Sequence, residues 1–379
     1  MRAVVWRGPK TVRVEDVPDP KIEEPTDAIV KVTGAAVCGS DLHLYDHGMT
    51  MAMKPGDVLG HEAMGEVVEV GAEVKHVRPG DTVVVPFNIS CGHCALCRLG
   101  LYSQCETTQQ TKAKKGAALF GYTHMYGGVP GGQAEFLRVP QAQFGPIKVE
   151  ESDPPAALLL SDVLPTAWEA VDRADVPEGG TVVVFGLGPV GQMCVTAAYQ
   201  RGAGRVIAVD KIPDRIAMAT ANGAECVDYS AFKDVTETVR EMTGGRGADS
   251  VIDAVGMDAD GSAAEHFLQL IKVQPDRFLA LHQSLATVRR GGTVSVIGVY
   301  LAWMPFFPIG DLFDKQITLR WGQANVRRWD AELLALLRDG DPLRAGALIT
   351  HEAALEDAPE MYRRFKSRGD GVIKAVLRP

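Results

Sequence analysis

Four cysteines, Cys91, Cys94, Cys97 and Cys105, stand in one short window as C-x-x-C-x-x-C, then seven residues and a last Cys. Gly92 and Gly100 give this window the freedom to curve tightly. Four thiolates at such spacings can wrap one tetrahedral Zn²⁺ at about 2.3 Å from each sulfur, and a shell of cysteines alone leaves no open position for a substrate. The metal expected here is structural, and its binding energy becomes folding energy for a loop with little apolar core. An iron–sulfur cluster is the rival reading, because ferredoxin spacings are not far from these.

Of the other three cysteines, Cys194 falls on the apolar face of an expected helix and reads, like Cys226, as a small buried hydrophobe. Cys38 differs: it sits in Cys38-Gly39-Ser40-Asp41-Leu42-His43 and precedes Gly60-His61-Glu62 by a loop. Cys and His suit Zn²⁺, and Glu62 beside His61 could support the ligands or exchange with one. A separate chemistry lies at Gly186-Leu187-Gly188-Pro189-Val190-Gly191, a G-x-G-x-x-G turn with Asp210 following 22 residues after Gly188. Glycines there let the backbone approach a pyrophosphate seated on a helix N-terminus, and the acid accepts hydrogen bonds from the adenosine ribose while repelling a 2′-phosphate. That favours NAD over NADP. Lys211 and Arg215 are either solvated charges or the cations with which NADP enzymes hold the extra phosphate.

These residues need elements to hold them. The chain has 379 residues, enough for two or three domains, and its 46% apolar content supplies their cores. A formal charge of −9 argues against binding nucleic acid through a basic face. No run approaches the roughly 18 apolar residues of a membrane helix, and no apolar leader opens the chain, so a cytoplasmic location without a membrane partner is expected. The first part alternates short β-rich runs (28–32, 65–70, 82–85) with Gly and Pro turns, which fits a barrel-like antiparallel region. From about Pro155 the pattern changes to strand, glycine turn, helix and strand, the grammar of a parallel sheet. Strands are expected at 181–185, 205–209, 250–252 and 293–299, with Val190, Met193, Cys194, Ala197 and Ala198 recurring at helical spacing between the first two. The tail offers an amphipathic helix over 329–338 and a strand over 372–377 that return to the first domain. The expected division is 1–157 with 301–379, and 158–300.

Together the Gly60-His61-Glu62 triplet, the Cys38 to His43 segment, the four-cysteine lobe and the glycine turn resemble the zinc-dependent medium-chain alcohol dehydrogenases, and the resemblance covers essentially the whole chain. It implies an α/β protein with a GroES-like β-rich catalytic domain and a Rossmann domain with a doubly wound parallel sheet. It also implies that Cys38 and His61 hold a catalytic zinc. The family commonly supplies the third ligand as Cys shortly before the nucleotide domain, yet no Cys lies between Cys105 and Cys194. At the matching place stands Asp162, which by itself could cap the helix that Pro165 helps start. Asp there, like the segment Phe120 to Gly128, resembles the glutathione-independent formaldehyde dehydrogenase and dismutase branch. A carboxylate is an accepted Zn²⁺ ligand, and Cys38, His61 and Asp162 would leave a fourth position open.

The same resemblance implies two zinc ions per chain and NAD as cofactor. It puts Gly39, Ser40, His43, Thr166, Val255, Ile297, Val299, Gly322 and Gln323 at the cofactor beside Gly186, Gly188, Pro189, Val190 and Asp210, with Arg215 at the ribose or adenine. Ser40, through the nicotinamide ribose to His43, resembles the family's proton relay. The substrate implied is a small primary or secondary alcohol or an aldehyde hydrate whose hydroxyl the zinc acidifies before hydride leaves for NAD. Alternatives are an aldehyde dismutase that retains NAD, a zinc-free quinone or enone reductase, and a non-catalytic nucleotide-binding protein. The stretch between Gly256 and Gly291, with Asp260 and Ser262, resembles a segment that covers the cofactor in the formaldehyde branch, and otherwise reads as a surface elaboration. Leu44, His47, Met49, Met51, Met53, Phe87, Trp303, Phe306 and Phe307 could line an apolar pocket. By resemblance, the strand around 294–299 and the segment after it join subunits into a homodimer or homotetramer.

Overall fold

The structure is a computed structural model. It describes all residues except 48–51, 151, 233, 257–277, 301–306 and 368–369, and of His47 only the backbone. The chain forms two compact units, Met1–Pro165 with Asn325–Pro379, and Thr166–Ala324.

The first unit begins with the antiparallel pair β1 (Arg2–Gly8) and β2 (Thr11–Asp16). There follow β3 (Ala28–Val37), α1 (Gly39–His47), β4 (Glu62–Val70), β5 (Thr82–Val85), the short helix α2 (Ala95–Arg98), β6 (Phe136–Val139) and β7 (Ile147–Val149). β3 and β4 run antiparallel, and Gly65 lets them approach: a Cβ at that position would lie 2.1 Å from the Lys31 carbonyl oxygen. Val30, Val32, Val67, Val83, Val85, Phe120 and Leu137 close a dry core beneath these strands.

Through α3 (Val163–Ala174) the chain passes into the second unit, where β8 (Thr181–Phe185) leads by the glycine turn into α4 (Pro189–Gln200). Then come β9 (Arg205–Asp210), α5 (Pro213–Ala221), β10 (Glu225–Asp228), α6 (Val235–Met242), β11 (Ala248–Asp253), α7 (Leu279–Thr287), β12 (Val288–Val296), α8 (Ile309–Lys315) and β13 (Thr318–Trp321). All pairings in this sheet are parallel, in the order β10-β9-β8-β11-β12-β13, so the direction of winding reverses between β8 and β11. That is the doubly wound order, and its central strands are apolar on both faces, as Val182, Val183 and Val184 on β8 are, because helices cover both sides.

The chain then completes the first unit with α9 (Asp330–Arg338), β14 (Ile349–Ala354), α10 (Ala358–Ser367) and β15 (Lys374–Arg378). β15 pairs antiparallel with β3, and the finished sheet runs β14-β15-β3-β4-β5-β7 with β6 also on β3. Two boundaries differ from those expected at 157/158 and 300/301. Residues 158–165 stay with the first unit because Leu158 packs on Ala36 and Val376. Residues 301–324 stay with the second because β13 extends its sheet, Leu319 beside Val294. The strand expected at 293–299 ends at Val296 and is interior, so the free edge belongs to β13. Among the described residues, no helix is long and apolar enough to cross a membrane.

Candidate functional site

Cys38 follows β3 and leads into α1, where its backbone N–H donates to Asp41 Oδ2 at 2.9 Å. His61 immediately precedes β4, Glu62 opens it, and Asp162 ends a turn of 3-10 helix just before α3. One ligand atom from each of Cys38, His61, Glu62 and Asp162 lies within 4.8 Å of the others, and all four residues are buried. Asp162 Oδ2 is 3.7 Å from Cys38 Sγ and 3.3 Å from His61 Nε2. Ser40 Oγ is also 3.3 Å from Nε2, while Nδ1 of the same ring lies 3.3 Å from Asp41 Oδ1. An imidazole held by a carboxylate on one nitrogen presents the other to a metal.

The electrostatics fit a cation. Burial pushes the Cys38 thiol above its ordinary value, against the pull of Lys374. Burial also raises the Glu62 carboxyl, although Lys374 opposes it. For His61 burial favours the neutral ring, yet the charge of Asp41 and hydrogen bonds with Asp162, Asp41 and Cys38 hold it well above its usual range. Glu62 Oε2 is buried with no hydrogen-bond partner. A thiol and two carboxylates thus converge out of water with too little positive charge, which is the donor set and deficit that Zn²⁺ satisfies.

Three neighbours lay beyond the sequence reading. Asp41 stands three residues after Cys38, a spacing that one helical turn makes significant. Tyr122 sets its ring edge-on to His61 at 6.4 Å, beside Phe87 at 6.3 Å, so the two aromatics flank the imidazole. Lys374, fully buried on β15, forms an ion pair with the equally buried Glu62, and nothing local in the sequence announces it. Of the other expected pocket residues, Leu44 and Met53 are buried, and Phe307 packs on the core of the second unit. Met49, Met51, Trp303 and Phe306 lie outside the described residues, as do the His47 side chain and the stretch 257–277.

The second group is Cys91, Cys94, Cys97 and Cys105, whose sulfurs again lie within 4.8 Å of one another and form no disulfide. α2 carries Cys97 and is capped by Cys94, whose sulfur accepts the Cys97 N–H. Gly92 and Gly100 take positive φ, +79° and +75°. Backbone N–H groups of His93 and Cys94 point at Cys91 Sγ at 3.5 and 3.3 Å. Burial works to raise the Cys91 thiol, but hydrogen bonds from Thr107 and these two amides outweigh it and bring it to about 7. N–H groups aimed at sulfur favour thiolate, the form that binds metal. Cys194 and Cys226 stand apart from both groups, their thiols turned to the carbonyls of Ala167 and Ile216.

In the second unit, Gly186 has φ +86° and Gly191 must be glycine, since a Cβ there would lie 1.8 Å from the Gly186 oxygen. A Cβ on Gly188 would meet only Arg215 Nη1, at 3.9 Å, so space stays open above the N-terminus of α4, which Pro189 and Val190 begin. Asp210, at the end of β9, accepts from the N–H of Leu187 and Lys211 at 2.7 Å and of Ile212 at 3.0 Å. Val255, Ile297 with Val299, and Gly322 with Gln323 follow the C-terminal ends of β11, β12 and β13, the edge where such sheets bind ligands. Thr166 is buried on α3 in the same unit, whereas Gly39, Ser40 and His43 belong to α1 of the first.

Comparison with known proteins agrees with this architecture. The alcohol dehydrogenase GroES-like domain matches residues 24–149, and the zinc-binding dehydrogenase domain matches 189–274. An uncharacterized zinc-type alcohol dehydrogenase-like protein, AdhB, of Bacillus subtilis is 42% identical over the full length of both chains. A glutathione-independent formaldehyde dehydrogenase of Pseudomonas aeruginosa is 33% identical, covering 96% of this chain and 94% of its own. The solved structure of the alcohol dehydrogenase TADH from Thermus sp. ATN1 superposes with a TM-score of 0.85 at 36% identity, covering 100% of this chain and 99% of the other. A GroES-like β-rich unit with a Rossmann unit defines a medium-chain oxidoreductase. The chain belongs to the zinc-dependent alcohol dehydrogenase family.

The buried pair gives a stability test. Lys374→Met leaves Glu62 buried without its partner, and is expected to cost about 3–5 kcal/mol in urea unfolding. The double variant Glu62→Gln with Lys374→Met is expected to recover most of that loss; no recovery would show that Lys374 acts through packing alone.

Proposed function

We propose that the protein oxidises small primary or secondary alcohols, or aldehyde hydrates, with NAD as hydride acceptor and zinc held by Cys38, His61 and Asp162. The observation that carries this reading is the convergence of Cys38 Sγ, His61 Nε2 and Asp162 Oδ2 in a buried group with an excess of acidic donors. When bound, the zinc supplies Lewis acidity that brings the substrate hydroxyl into a range where it ionises near neutral pH. Ser40 Oγ, beside Nε2, is placed to accept the hydroxyl proton, and His43, one turn further along α1, hands it to solvent. Phe87 and Tyr122, edge-on to His61, give the site an apolar wall. The product is the carbonyl compound or, from a hydrate, the carboxylic acid, with one NADH and one proton released.

NAD is favoured over NADP by three side chains. The Asp210 carboxylate stays at the ribose position, Arg215 Nη1 is 3.9 Å from Asp210 Oδ2, and Lys211 Nζ lies over the Tyr229 ring at 5.5 Å. A carboxylate there repels a 2′-phosphate, and the two cations have partners of their own. The four-cysteine lobe binds a second, structural zinc. A second copy of the chain is the expected partner along the free edge of β13, beside which Ile309, Phe313 and Trp321 are exposed. A cytoplasmic location fits a reduced four-thiol lobe.

Purified protein is expected to hold two zinc ions per chain and to produce NADH, read at 340 nm, from a panel of alcohols and aldehydes. Asp162→Ala is expected to hold one zinc and to lose more than about 100-fold in turnover; two zinc ions with full activity in that variant would remove Asp162 from the site. Asp210→Asn should raise kcat/KM for NADP relative to NAD by at least about tenfold, the equivalent of one charge contact. Light scattering is expected to read a multiple of the 40.7 kDa chain; a monomer would contradict pairing at β13.

A further inference from the structure

Behind the metal ligands lies a line of buried polar side chains that reaches the C-terminal helix α10. Gln133 is fully buried against the Gly60-His61 backbone: Gly60 has φ +97°, and a Cβ there would lie 2.4 Å from Gln133 Cγ. The Gln133 amide nitrogen donates to Ala36 O at 3.2 Å and to Asp41 Oδ2 at 3.3 Å. Both partners are pure acceptors, which fixes the amide orientation and leaves Gln133 Oε1 to accept a proton. It accepts from the hydroxyl of Tyr362 at 2.8 Å, and Tyr362 is itself fully buried on α10. The other oxygen of Asp41 faces His61 Nδ1 at 3.3 Å. The donors therefore run in one direction, from Tyr362 to Gln133 to Asp41, which holds one oxygen of the carboxylate and leaves the other turned toward His61 Nδ1.

We propose that Gln133 and Tyr362 are positioning residues for the metal, holding Asp41 so that the His61 ring keeps its proton on Nδ1 and turns the Nε2 lone pair to the ion. The proposal rests on the reading of His61 as a metal ligand. Neither residue supplies a ligand atom, and the hydrogen bond by which Tyr362 acts reaches the site through Gln133 and Asp41. Outer partners of metal-bound histidines typically change metal affinity by about 10–100-fold when removed.

The test uses the full chain, loaded in turn with zinc and with cobalt, comparing wild type with Tyr362→Phe and with Tyr45→Phe. Tyr45 is the packing control, since its ring lies 5.7 Å from that of Tyr362 without joining the line. Tyr362→Phe is isosteric and is expected to keep the wild-type circular dichroism melt. It is expected to yield one of its two zinc ions to a chelator about tenfold more readily and to shift the cobalt ligand-field band. Tyr45→Phe is expected to match wild type in both. Gln133→Leu, if folded, should move both readouts the same way and further. A Tyr362→Phe protein indistinguishable from wild type would overturn the proposal, and so would a Tyr45→Phe protein that changes as much. Wild-type protein that takes up only one cobalt, in the four-cysteine lobe, would instead overturn the assignment of His61, an outcome read separately from the comparison of variants.

Discussion

A cluster of acidic groups held out of water organises the first unit. Cys38, Glu62 and Asp162 converge around His61, and Lys374 forms its ion pair with Glu62. Burying such groups without a counter-charge costs several kcal/mol each. The fold nevertheless keeps them there, on a strand end, a strand start and the lip of a helix, so the surroundings must supply charge. Lys374 pairs with Glu62 on one side, Asp41 faces the imidazole on another, and the donors that remain are those a divalent ion would satisfy. The site can therefore be understood as a charge deficit around which β3, β4, α1 and β15 are arranged.

The second unit solves a different problem with backbone alone. Its phosphate-binding turn needs room above a helix N-terminus, and that room depends on glycines: Gly191 lies against the Gly186 carbonyl, while the Cα of Gly188 faces nearly open space. Asp210 does two tasks from the neighbouring strand. It ties down the turn through the Leu187 amide and leaves a carboxylate at the ribose end. The cysteine, histidine and carboxylate group belongs to the first unit and the glycine turn to the second.

The motifs were legible because each is local. Four cysteines in one window, a G-x-G-x-x-G turn after a strand, and Cys38 before Gly60-His61-Glu62 announce chemistry through spacing, and strands such as 82–85 and 181–185 announce themselves through unbroken apolar runs. What spacing could not disclose depends on tertiary pairing. Lys374 meets Glu62 from 312 positions away, and Tyr362 meets Gln133 from 229. Both read in the sequence as ordinary members of an amphipathic tail. β13 was hidden for the same reason, because its four residues are too few to be recognised as a strand until β12 stands beside them.

Lys374 and Tyr362 follow every other residue of their group in the sequence, which orders the making of its contacts. The four sulfurs of the cysteine lobe are all present by residue 105. The other group acquires Asp162 next, but its counter-charge and its outermost hydrogen-bond donor arrive only with α10 and β15, the last helix and the last strand. Domains fold as units as they emerge, the N-terminal one generally first. Here the first unit cannot finish until the second has been threaded through its middle. The four-cysteine group is thus closed by residues near in sequence, whereas the second group is closed only by contacts made over 229 and 312 positions.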